Sequence, residues 1–364
     1  MKKKYITSAS RGGKEKIDWS ILSKYRLELF GISTVAVLCV HAVPYIEGIN
    51  YPFSIVILKV MSYGGIGVNI FLFLSGIGLS YSMKKRSDKR AFYLNRIKRT
   101  LLPYLFISII AYFIIDVVLT WKPLYFLYDL SLFSFWFEHR GAWYIAMIIP
   151  IYALFPFYFQ WLQSRENRSI SIGICIGISI LCTELLHYYN MPLYKHLQNI
   201  LVGIPVFLLG IYFSEAVFEK QKIRIKVLFL LMIPLAVKLL FQIPKDSSMH
   251  QYAIAFVSIP ICIFIAFSIH RLHSGIVGKI LRFFGKYSLE LYLTNIYIKW
   301  MFEYVTFNSL HQHDGDEVYQ ALKYMVIIIL GMSSGVLLKR LLNNIEKQLK
   351  RFNNRMKSLK EVDR

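Results

Sequence analysis

Cysteine is scarce in this chain: Cys39, Cys175, Cys182 and Cys262 are the four, with no CxxC spacing and no flanking histidine cluster. That pattern excludes a disulfide framework and a zinc site and leaves buried free thiols as the expectation. Also missing is any P-loop, GxSxG, HExxH or paired-carboxylate arrangement in a credible context, so nucleotide-loop, serine-hydrolase and metallopeptidase readings fall away and no metal is expected. No short-period repeat or low-complexity tract interrupts the chain. A cleavable leader is not expected, because Lys2–Arg26 is too long and too polar and no small-residue cleavage site follows the first apolar run. Acids are few as well, 21 Asp and Glu against 43 Lys and Arg.

What is abundant is apolar surface. Of the residues, 56% are hydrophobic, mean hydropathy is +0.47, and the apolar residues come in blocks near the ~20 residues that cross a bilayer. Those blocks predict an all-α polytopic membrane protein with about ten transmembrane helices, at 29–46, 54–82, 100–120, 142–162, 170–189, 199–218, 226–243, 252–270, 287–307 and 320–342. A basic segment, 1–28, precedes this membrane domain, 29–342, and a basic tail, 343–364, follows it. The tail places Leu341, Leu342, Ile345, Leu349 and Phe352 at near-helical spacing, which reads as an amphipathic helix on the inner leaflet.

The formal charge of +22 invites a nucleic-acid reading that its distribution argues against. With the N-terminus inside, the outer segments hold only Lys122, Arg140, Lys195 and Lys245, while most other cations fall on inner segments. This is the positive-inside bias, and it places both termini in the cytoplasm. The expected setting is a multi-pass protein of a cell membrane, whose first partner is the lipid bilayer.

Within this apolar field a few polar residues stand out. His41 lies two-thirds of the way through the first span, where an imidazole is costly without a partner or a water-lined cavity. Arg96, Lys98 and Arg99 open the third span and read first as snorkelling anchors. Ser75 and Gly76 sit among Gly64, Gly65, Gly67 and Gly78, small residues whose ordinary use is close helix packing. Trp143 opens the fourth span as an interfacial aromatic, and the outer segment 121–141 is rich in Trp, Tyr and Phe. Glu184 in the fifth span and Glu290 near the start of the ninth are acids inside spans with no assigned partner.

Five stretches, in order, resemble the acyltransferase-3 family of membrane O-acyltransferases: ELFGISTVAVLCVHA (28–42), YGGIGVNIFLFLSGIGLSYS (63–82), FYLNRIKRTLLPYLF (92–106), GAWYIAMIIPIYALFPFY (141–158) and FGKYSLELYLTNIYI (284–298). The resemblance implies transfer of an acyl group, expected to be acetyl, from cytosolic acyl-CoA to a hydroxyl of a cell-surface or lipid-linked carbohydrate. It makes His41 the catalytic group and Arg96 and Arg99 partners of the coenzyme A phosphates. Ser75, Gly76, Asn69, Trp143, Tyr292 and Asn295 fall along its expected substrate path. It also implies a bacterial plasma membrane.

Three positions depart from the family pattern. The family pattern sets an Arg eleven positions before the His, which is close to three turns and about 16 Å along one helix face. That position here is Phe30. Arg26, one turn below, is the nearest replacement; helical side chains lean towards the N-terminus, so it is expected to point to the cytoplasm and away from His41, as a contact for a donor phosphate at the mouth. Asn295 stands where relatives often carry His, and Asn69 where many carry Asp. Loss of both Arg and His leaves open a non-catalytic relative, or a transporter or flippase of acyl groups or lipid-linked sugars.

Overall fold

A computed structural model describes residues 18–48, 54–85, 88–138, 140–244, 247–272, 275–309 and 317–362. Most of the basic N-terminal segment, and Lys245 of the outer set, lie outside the described residues. The architecture is all-α. After a single turn, Ile21–Lys24, come α1 (Arg26–Ile46), α2 (Ser54–Lys85), α3 (Lys89–Leu119), α4 (Pro123–Leu130), α5 (Phe133–Glu138), α6 (Trp143–Gln163), α7 (Arg168–Tyr189) and α8 (Met191–Phe218). Then follow α9 (Ile225–Leu240), α10 (Ser248–Arg271), α11 (Ile276–Lys286), α12 (Ser288–Ser309) and α13 (Glu317–Val362).

Eight of these helices are long and apolar enough to cross a membrane: α1, α2, α3, α6, α7, α8, α10 and α13. Among the described residues, two of the expected spans, on α9 and α12, do not meet that measure, for different reasons. Helix α9, on the expected span 226–243, has 16 residues, short of the ~20 a full crossing takes. Helix α12 has 22 residues but carries Glu290, Lys299 and Glu303. Its charges are met by neighbours: Lys339 of α13 lies 3.0 Å from Glu290, and the Tyr45 hydroxyl of α1 donates to Glu303 at 2.7 Å. Glu184, in α7, is on an exposed helix face.

Helix α2 is the centre of the bundle. Its Leu72 and Leu79 join one buried cluster with Tyr104, Ile145, Phe155 and Tyr297. On the other side Phe73, Leu74 and Ile77 join a second cluster with Leu29, Val206, Ile259 and Cys262. A helix apolar on every side belongs inside a bundle. Close packing depends on two glycine pairs, since a side chain at any of the four would meet backbone of the facing helix. Gly76 of α2 faces Phe207 of α8, and Gly210 faces Phe73; Gly31 of α1 faces Leu281 of α11, and Gly285 faces Leu27.

Buried hydroxyls turn back on their own helices, as Ser33 to the Leu29 carbonyl, Thr34 to Phe30 and Ser80 to Gly76, at 2.8–2.9 Å, so they need no partner elsewhere. The four cysteines are free, but their burial differs from the expectation: Cys262 is buried, Cys39 and Cys175 are partly covered, and Cys182 is exposed. A thiol inside a span can face lipid and still be uncovered by protein. The basic tail continues α13 without a break, in one helix of 46 residues.

Candidate active site

A cavity of about 490 Å³ lies among α1, α2, α3, α6 and α12. Helix α1 supplies one wall in register: Arg26, Phe30, Thr34, Val37 and Leu38 share the face that repeats every three or four positions. Helix α2 supplies Phe71, Ser75, Gly78 and Ser82, and α3 supplies Asn95, Arg96 and Arg99. Two rings close the interior, Tyr144 of α6 and Tyr292 of α12, packed edge to face with centroids 5.5 Å apart. Lys85 and Asp88 stand where α2 gives way to α3; Asp88 also caps α3 by accepting from the Arg90 amide at 2.9 Å.

Three guanidinium groups therefore line one space. Arg96 lies between two rings, 5.2 Å from the Phe92 centroid and 5.5 Å from that of Tyr152, and its Nε has no hydrogen-bond partner. Arginine held over aromatic faces keeps its in-plane donors directed outward, as an anion needs them. Between Arg96 and Arg99 the helix changes: Ile97–Leu101 forms a wide π turn, a feature common where a helix serves a site.

Arg26 lies on the wall of this cavity, at the end of α1 away from His41. Its guanidinium carbon lies 5.0 Å from the Phe30 ring centroid, one turn up the helix, and the group rests on the bare backbone of Gly78. A Cβ at residue 78 would occupy the space of that guanidinium. Phe30 in turn packs on Phe71, with centroids 5.2 Å apart. Arg26 thus shares one cavity with Arg96 and Arg99, which reach it from a different helix.

His41 is not part of the cavity wall. It is half-buried, one turn beyond Leu38 on the same face of α1. The charged groups acting on it are Lys299 and Glu303 of α12. These form an ion pair at 3.6 Å, one turn apart. Tyr45, one turn above His41, is bonded to Glu303, and Lys299 lies 5.8 Å from the Tyr45 ring centroid. Sequence reasoning did not assign this trio, although Lys299 and Glu303 at i, i+4 inside an apolar run were a usable signal. Tyr144 and Tyr152 carried no such signal.

The remaining expected site residues divide. Ser75 and Tyr292 line the cavity. Gly76 is buried against α8, and Trp143 packs edge to face on Tyr144 away from the lining, with centroids 6.0 Å apart. Asn69 is half-buried and off the wall. Asn295 is buried, donates to the Leu291 carbonyl at 2.8 Å, and packs against Gly331 of α13.

Taken together, these features define a polytopic helical membrane protein with an arginine-lined interior cavity and a histidine one turn beyond it. The model of the acyltransferase 3 family, described as an acyltransferase domain, matches residues 31–340. The chain belongs to that family, which supports acyltransferase activity and an acyl donor. The match begins directly after Phe30, so Arg26 and Phe30 precede it. No curated protein and no solved structure matches the chain.

Proposed function

We propose that the protein transfers an acetyl group from cytosolic acetyl-CoA to a hydroxyl of a cell-surface or lipid-linked carbohydrate in a bacterial plasma membrane, with both termini on the cytoplasmic side. The observation that carries this reading is the convergence of Arg26, Arg96 and Arg99 on one cavity whose α1 wall leads towards His41. Arginine presents planar paired donors to phosphate, so this end suits the phosphates of the donor. From Arg26 to His41 is about 22 Å along the helix axis, a distance for an extended thioester arm rather than a compact substrate.

The chemistry follows from the imidazole. Neutral His41 takes the proton of the acceptor hydroxyl as its oxygen attacks the thioester carbonyl. The new C–O bond forms, the C–S bond breaks, and the coenzyme A thiolate leaves and recovers that proton from the imidazolium. Ser75, Tyr144 and Tyr292 shape the wall between the two ends, and the Tyr144 hydroxyl is directed at Ser75. Glu303 and Lys299 hold the surroundings of His41 fixed.

Purified protein incubated with acetyl-labelled acetyl-CoA tests this reading. Release of coenzyme A that disappears in His41→Ala supports it. Turnover unchanged in that variant removes His41 from the chemistry. Movement of labelled donor across a vesicle membrane without thioester cleavage would favour a carrier.

A further inference from the structure

A second cavity, of about 300 Å³, lies across α2 from the first, among α2, α6, α7, α8 and the start of α9. Its wall carries four cations, Lys84, Arg168, Lys222 and Arg224, against the single carboxylate of Glu215, which pairs with Arg168 at 3.7 Å. The floor is rigid: the Trp19 ring stacks on Phe213 with centroids 4.5 Å apart, and the Trp19 amide donates to the Gln221 carbonyl at 2.9 Å. Two helices, α7 and α9, begin at this cavity, and neither Asn167 nor Arg224 caps its helix with a side-chain hydrogen bond. Their first-turn amides add to the field that the four cations make.

From the same place two apolar stripes run up the outside of the bundle. On α7, Ile170, Ile174 and Ile178 are exposed at one-turn spacing; on α9, Ile225, Phe229 and Ile233 are. A free phosphate compound has no use for two such stripes. A phospholipid does, one stripe for each acyl chain. We infer that this cavity binds the phosphate headgroup of an anionic diacyl phospholipid, seated on Lys84, Arg168 and Arg224 with its chains along α7 and α9. Basic pockets between membrane helices are suited to such headgroups, and nothing in this inference depends on acyl transfer.

The full-length protein, purified in detergent, is titrated with dioleoylphosphatidylglycerol or dioleoylphosphatidylcholine. Retained lipid is read by native mass spectrometry and stabilisation by thermal unfolding. Phosphatidylglycerol is expected to bind saturably and at least about tenfold more tightly than phosphatidylcholine. Lys84→Gln/Arg224→Gln is expected to remove that tenfold preference. Lys347→Gln/Arg351→Gln, which takes the same charge from the far part of α13, is expected to leave it. Phe229→Ser lowers retention of phosphatidylglycerol without changing the charge. Equal binding of the two lipids, or equal loss in the α13 variant, overturns the proposal. Displacement of the lipid by inorganic phosphate at the same concentration overturns the lipid assignment and makes this a soluble-anion pocket.

Discussion

The two ends of the α1 face that runs from Arg26 to His41 are built in opposite ways. At the arginine end the cations outnumber the single carboxylate of Asp88, face an open space, and two of the guanidinium groups are held by rings: Phe30 against Arg26, and Phe92 and Tyr152 around Arg96. At the histidine end both signs are present and engaged with each other, Lys299 with Glu303 and Glu303 with Tyr45. Aromatic support leaves a guanidinium free to bind an anion, whereas an ion pair consumes its charges in fixing geometry. The first arrangement is suited to recognition, and the second to holding one group in one orientation.

The mutations that separate these roles differ in size. His41→Ala is expected to lower turnover of acetyl-CoA by about 10²–10⁴-fold, the usual worth of a positioned acid–base group, with the folded yield unchanged by gel filtration. Next comes Arg26→Ala/Arg96→Ala, expected to raise the donor KM by roughly 10–100-fold with kcat little altered, as two charge-assisted contacts are lost. Glu303→Gln removes the charge while keeping the shape, and kcat should fall about tenfold with KM within about twofold. A rise in KM alone in that variant would erase the contrast between the two ends.

The smallest effect is the most specific. Gly78→Ala puts a methyl where the Arg26 guanidinium lies. It should raise the donor KM several-fold, by roughly the worth of a displaced charge-assisted contact. In the Arg26→Ala background it should do nothing further, since two changes acting on one contact do not add. Additive losses in that cycle would mean that Gly78 matters for packing alone.

Much of the fold was legible because a bilayer imposes long apolar blocks, and eight of the expected spans stand as membrane-length helices. The other two expected spans fall on helices that do not meet that measure of length and composition. Helix α9 has 16 residues, and α12 carries acids that Lys339 and Tyr45 reach from other helices. His41, Arg96 and Arg99 could be singled out because charge inside or beside a span is expensive. The seat of Arg26 could not be read, since it depends on a glycine 52 positions away in sequence whose bare backbone receives it. For the same reason the glycines near Ser75 could not be sorted: Gly76 packs against α8, while Gly78 seats an arginine.

The division of labour along α1 can be measured without any acceptor, by calorimetric titration of the purified protein with coenzyme A. His41→Ala is expected to bind within about twofold of the unaltered protein, and Arg26→Ala/Arg96→Ala at least about tenfold more weakly. Undiminished binding in the double arginine variant, or an equal loss in His41→Ala, would contradict that division of labour.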